Sequence, residues 1–116
     1  MVGPTIAPRL QGLPDATVWG RRVPVALGIR ARLLGLAWLD REEAGPGLLI
    51  PRCSSVHTFG MRFALDLVFL GRDGRPSSVS RDVPPGRFAF DRCAVSVLEL
   101  PSPRCSERSD LRYLSP

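Results

Sequence analysis

The chain has 116 residues, a length that fits one domain with a modest core, and its 44% hydrophobic and 23% charged content is ordinary for a soluble globular protein. The formal charge is +5, and all 16 basic residues are arginine, so the chain is arginine-rich and lysine-free. No apolar run approaches the roughly 20 residues needed to span a bilayer, and the start, interrupted by Pro4 and Pro8, lacks the apolar stretch of a secretory signal, so a cytoplasmic protein with no membrane partner is expected.

Residues 1–15 are rich in Pro and Gly and read as a loose lead-in. "ATVWGRRVPVA" (16–26) reads as two short extended pieces: Val18 and Trp19 favour strand, and Pro24 suits an edge or a strand start. In "ALGIRARLLGLAWL" (26–39), Ala26, Ile29, Leu33, Leu36 and Ala37 recur at helical spacing, which predicts one helix over roughly 27–38. Gly28 and Gly35 weaken that helix by about 1 kcal/mol each relative to alanine.

"DREEAGPG" (40–47) is a polar turn, and "LLI" (48–50) enters as a short buried strand. "LDLVFL" (65–70) carries β-branched and aromatic residues with apolar side chains on both faces, so it reads as a central strand. Asp73-Gly74 signals a type I′ hairpin into "PSSVSRDV" (76–83), a polar strand nearer an edge. After the loop "PPGR" (84–87), "CAVSVLEL" (93–100) is a second strong strand. Its Ala94, Ser96, Leu98 and Leu100 share one face, and its Val95, Val97 and Glu99 share the other. The tail from 102 to 116 is polar and bounded by prolines, and is expected to pack poorly. The order of elements predicts a mainly β, antiparallel domain of small sandwich or jelly-roll type with one short helix, spanning residues 16–101.

The series "LLGLAWL … GPGLLIPRC … VHTFGMRFALDLVFLGRDGR … VPPGR … AVSVLELP" resembles the domain of unknown function 192 family over residues 16–101. That resemblance implies a compact, mainly β fold with a short helix and implies no known reaction. The chain departs from the commoner family pattern at His57, where Trp is usual, at Gly60-Met61, where Asn-Thr is usual, and at Ala64, where Pro is usual.

Chemistry-bearing residues are few. His57 is the sole histidine, a residue type that titrates near neutrality. It is followed by Thr58, preceded by Arg52, and separated by nine positions from Asp66 in the best strand. Glu99 lies within another apolar strand. His57, Asp66, Arg52, Thr58 and Glu99 are therefore the candidate binding residues, with a shallow polar pocket expected near His57 and Asp66. Asp66 is expected to accept hydrogen bonds from an arginine or from amides of the "VHTFG" turn, holding that turn and presenting His57.

The first functional reading is a small binding or accessory domain acting on a small ligand or a protein partner. The second is a hydrolase-like enzyme using His57 with Asp66 or Glu99, since paired carboxylates serve acid–base chemistry; structural ion pairing with the plentiful arginines outweighs it. The third and weakest is nucleic-acid binding. Arginine forks match phosphates, but these arginines are scattered and lack interleaved aromatics, and the absence of lysine fits biased coding composition. Cys53, Cys93 and Cys105 are odd in number and widely spaced without a CxxC, so reduced structural thiols are expected, and no metal or cofactor. A Cys53–His57 nucleophile pair is compatible with the spacing and is outweighed by simple packing. Phosphate-binding glycine loops and the GxSxG elbow are both absent.

Overall fold

Apolar side chains on both faces of one strand organise the molecule. The computed structural model describes residues 7–103, and in it the "LDLVFL" segment is a strand whose six residues are all buried. In chain order the strands are β1 (Asp15–Val18), β2 (Arg21–Pro24), β3 (Leu48–Pro51), β4 (Ser55–His57), β5 (Leu65–Leu70), β6 (Pro76–Val83), β7 (Phe88–Phe90) and β8 (Ser96–Pro101). One α-helix, α1 (Ile29–Leu34), and two 3-10 turns, Pro8–Leu10 and Arg41–Ala44, complete the described elements. The fold is mainly β, and all strand pairs are antiparallel.

A four-stranded sheet ordered β3-β8-β5-β6 forms the centre, flanked by the two-stranded ribbons β1-β2 and β4-β7. Side chains alternate across a strand, so the central sheet has two apolar faces. Leu65, Leu67 and Phe69 of β5, Val97 of β8, and Leu48 and Ile50 of β3 belong to the larger core. That core is closed by Leu36, Ala37 and Leu39 after α1, by Val56 of β4, and by Ala7 and Leu10 near the start of the described chain. Val68, Leu70, Leu98 and Leu100 face the other way and pack under the β1–β2 hairpin through Val23, Val18 and Trp19. Burying each such side chain contributes about 1.5–3 kcal/mol.

The two extended pieces expected over 16–26 are thus one hairpin. Its two-residue connection, Trp19-Gly20, has φ of 53° and 79°, the geometry of a type I′ turn that matches strand twist. The β5–β6 connection differs from its predicted form. Gly74 N–H donates to Gly71 O at 3.0 Å, and only Gly74 of the Asp73-Gly74 pair has positive φ, at 78°. This is a turn closed by one left-handed glycine rather than type I′. Asp73 Oδ1 accepts the Arg75 amide instead, at 3.0 Å.

The helix is shorter than the apolar periodicity predicted, six residues rather than the stretch 27–38. Its two glycines bound it instead of sitting inside it: Gly28 (φ 87°) precedes the first turn, and Gly35 (φ 53°, ψ −126°) ends the last. The β6 strand lies at the sheet edge with a largely exposed surface, as its polarity predicts. Its backbone bulges where Asp82 adopts φ 54°, and the β5–β6 register slips between Leu65/Val83 and Leu67/Ser80. Ser102 and Pro103 are buried, so packing continues past the expected end at 101; the expectation of poor packing for 104–116 lies outside the described residues.

Candidate functional site

The site begins with a strand register. Glu99 of β8 stands opposite Leu48 of β3 and Leu67 of β5, which turns its side chain into the larger core. It is 3% exposed. Burial raises its pKa to about 7, opposed by a hydrogen bond from the Leu36 amide and by the positive charge of Arg9. Its Oε1 is buried and has no hydrogen-bond partner among the described residues.

Gly35 creates the space for that carboxyl. It is buried, and its backbone carries the chain off the helix and over the face of β8. Arg9 fixes this crossing by donating from Nη2 to Gly35 O at 3.0 Å and to Ala37 O. On the opposite side, Arg32 of α1 donates to the carbonyls of Pro51 and Arg52, the latter at 3.1 Å, and so ties the helix to the end of β3. Arg52 is exposed with φ 51°, and its described contribution is this backbone carbonyl.

Between α1 and the β3–β4 segment lies a cavity of about 240 Å³. Leu34, Ile50 and Val56 supply apolar walls, and Glu99, Arg32, His57, Cys53 and Ser55 supply polar ones. His57 ends β4, is exposed, and stacks on Phe59 with ring centroids 5.4 Å apart and planes 30° from parallel. The Cys53 thiol donates to Ser55 O at 3.0 Å. Across the β4–β7 ribbon His57 pairs with Phe88 and Ser55 with Phe90, so these four side chains share the outward face.

Asp66 is elsewhere. In β5 it pairs with Leu100 and shares a face with Val68 and Leu70, whereas Glu99 pairs with Leu67 on the opposite face. The two carboxylates therefore cannot form an acid–base pair, because a sheet separates them. Nor does Asp66 hold the "VHTFG" turn as expected: its Oδ1 accepts the Asp82 amide at 2.9 Å and the Ser102 hydroxyl at 2.7 Å. It serves the β6 bulge and the end of β8.

The turn is held by Thr58, which is 1% exposed. Its hydroxyl donates to Pro84 O at 2.7 Å and accepts the Arg87 amide at 2.8 Å, while its own amide donates to Arg87 O at 2.8 Å. Thr58 is thus a latch between the turn and the 84–87 loop. Of the five candidates, the structure brings His57 and Glu99 to one cavity, leaves Arg52 outside its lining with a carbonyl that accepts from Arg32, and sends Thr58 and Asp66 into the framework. Arg32 and Ser55 line the cavity without having been singled out in the sequence. In the sequence Arg32 falls between Ile29 and Leu33, off the apolar spacing of that helix, a position that gives no sign of a cavity.

Among the described residues, no group of three or more His, Cys, Asp or Glu side chains is arranged to hold a metal ion, and Cys53 and Cys93 are free thiols. No described helix is long and apolar enough to cross a membrane.

Comparison with known proteins places this geometry in context. Residues 15–109 match the DUF192 family, described as "Uncharacterized ACR, COG1430". No curated protein matches. A solved structure of a protein of unknown function from Novosphingobium aromaticivorans DSM 12444 is similar, with TM-score 0.57 and 18% identity over 94% of this chain and 88% of that one. A putative transcription regulator from Sinorhizobium meliloti 1021 has the same TM-score of 0.57 and 22% identity over 76% of this chain and 77% of that one. At these identities the likeness is one of fold.

Proposed function

The chain belongs to the DUF192 family, and on that premise we propose that it is a small-ligand-binding domain whose site is the cavity above Glu99. The observation that carries this reading is the Glu99 Oε1 atom, buried without a hydrogen-bond partner among the described residues in a side chain that lines the cavity. A buried acceptor left unmatched costs about 1–3 kcal/mol, and a ligand that donates to it recovers that cost. The mixture of apolar walls with a few convergent polar groups is the usual make-up of a small-molecule site.

Two features favour binding over hydrolysis. A histidine base needs an orienting carboxylate or a thiol to activate. Among the described residues the contact of His57 is its stack on Phe59, and the Cys53 thiol is directed to Ser55 O. Arginine chemistry also favours a small site over nucleic acid. Arg9 and Arg32 donate to backbone carbonyls, and Arg22 and Arg62 pair with Asp15 and Asp40.

The test is amide-resolved NMR of the labelled chain titrated with a panel of small polar compounds. Binding is expected to move Gly35, Ser55, Val56 and His57 together, with affinity at least tenfold weaker in Glu99→Gln. Compounds that move only residues outside this group, or that bind the Glu99→Gln chain unchanged, would refute the proposal.

A further inference from the structure

The cavity carries two charged side chains of opposite sign, and each is anchored from behind. Arg32 uses donors on the carbonyls of Pro51 and Arg52. A guanidinium has five donors, so others remain for the cavity. The Leu36 amide lowers the charge cost of the Glu99 carboxyl on one side, and the Oε1 of Glu99 is buried without a hydrogen-bond partner among the described residues. Among the ion pairs of the described residues, none joins Arg32 to Glu99. Two separated opposite charges thus line the same recess of about 240 Å³.

We infer that this cavity takes a small zwitterion, an α-amino acid with an apolar side chain or a close analogue, its ammonium on Glu99 and its carboxylate on Arg32. The inference rests on the small-ligand reading above and names its ligand class. A ligand bearing only a cation would meet Arg32, with Arg9 behind Gly35 adding to the same sign. A ligand bearing only an anion would meet Glu99. A neutral polyol satisfies hydrogen bonds and leaves both charges uncompensated. A zwitterion answers both at once, and an arginine fork matches a carboxylate in shape as well as charge.

The remaining walls fit the rest of such a molecule. Leu34, Ile50 and Val56 offer an apolar surface to a side chain, and the cavity is below the size usual for larger organic ligands. Other titratable or charged groups facing Glu99 from neighbouring elements are Arg9 from the first 3-10 turn, Arg32 from α1, His57 from β4 and the Cys53 thiol. Of these, the two arginines are already held by carbonyls of the framework.

The experiment uses four probes with one apolar tail: L-leucine, leucinamide, 4-methylpentanoate and 4-methylpentanamide, followed at pH 8 by amide-resolved NMR and calorimetry. L-Leucine is expected to bind at least tenfold more tightly than any of the other three and to move Gly35, Ser55 and His57. Glu99→Gln should erase its advantage over 4-methylpentanoate, and Arg32→Gln its advantage over leucinamide. Because Arg32 also ties α1 to β3, Arg32→Lys provides the control: it keeps the charge, loses the fork, and should retain part of the discrimination in a chain whose spectrum shows it folded. If a single-charge or neutral probe binds this cavity as tightly as L-leucine, the zwitterion inference is wrong and the small-ligand reading survives. If none of the four binds while other compounds of the panel move the cavity residues, the inference again fails alone. If nothing moves those residues in the folded chain, both fall.

Discussion

Gly35 and Glu99 occupy one space: a Cβ placed on Gly35 would stand 2.6 Å from Oε1 of Glu99 and 3.3 Å from its carboxyl carbon. The same glycine has φ 53° and ψ −126°, a backbone region that side-chain-bearing residues rarely enter. One residue therefore ends the helix and leaves room for a buried carboxyl, which links the local backbone directly to the cavity.

The first prediction follows from that double role. Gly35→Ala should cost about 2–4 kcal/mol in urea denaturation, since backbone strain of about 1–3 kcal/mol adds to displacement of the carboxyl. Gly28→Ala, at φ 87° with nothing within 4 Å of the added Cβ, should cost the strain alone. In a Glu99→Ala background the Gly35→Ala cost should fall toward the Gly28→Ala value, because residues in contact are not additive. Equal costs in both backgrounds would mean that Gly35 acts through its backbone only.

The second concerns pH. Glu99 is raised to about 7 in the folded chain, while an unfolded glutamate titrates near 4.3. Between those values the folded state holds a proton that the unfolded state has lost, so stability falls as pH rises through this window. The contribution is fully present below about pH 4 and is gone above about pH 8, with an upper bound of roughly 4 kcal/mol. Glu99→Gln imitates the protonated form. The difference in unfolding free energy between mutant and parent should grow in the mutant's favour from pH 5 to pH 8, and a flat difference would show that Glu99 does not titrate in this range.

Much of the framework was legible in the sequence, and the site was legible only in part. The "LDLVFL" run predicts a strand buried on both sides because β-branched and aromatic residues occupy both parities, and the polar "PSSVSRDV" predicts an edge. The alternation in "CAVSVLEL" likewise separates Glu99 from Leu98 and Leu100. What alternation cannot supply is the register between β5 and β8, which are not consecutive. The pairing of Leu67 with Glu99 and Asp66 with Leu100 decides which carboxylate meets the cavity, and it is a tertiary fact. The helix was overextended because apolar spacing continues through Gly35 while the backbone does not. Residues 102–103 were assigned to the tail on polarity and prolines, but the Ser102 hydroxyl finds a buried partner in Asp66, which makes a polar residue part of the interior.

Thr58 yields the third prediction. Thr58→Val keeps the shape and removes a hydroxyl that both donates to Pro84 O and accepts the Arg87 amide. The 84–87 loop is exposed, so water can replace part of what is lost. The expected cost is about 1–2 kcal/mol, with faster hydrogen exchange at the Arg87 amide. Unchanged exchange there would mean that backbone pairing alone holds the loop.

The last prediction separates framework from site across the two faces of the central sheet. Asp66 is 1% exposed, and one oxygen accepts from both Asp82 and Ser102. Asp66→Ala leaves the Asp82 amide and the Ser102 hydroxyl without this acceptor, at a cost of about 1–3 kcal/mol, and Asp66→Asn, which keeps a carbonyl oxygen, should cost less. The bulge at Asp82 should loosen with it, seen as faster hydrogen exchange along β6. His57 is exposed and stacked on Phe59 alone among the described residues, so His57→Ala should cost under about 1 kcal/mol. Ligand binding should show the reverse order. His57 lines the cavity and its loss should weaken binding, whereas Asp66 lies behind the sheet and its loss should leave the cavity resonances responding as before at temperatures where the chain is folded. Urea denaturation and the NMR titration of both variants decide the matter. A His57→Ala chain destabilised as much as Asp66→Ala, or an Asp66→Ala chain that folds and no longer binds, would put the two residues in one functional unit and overturn the division that the sheet register imposes.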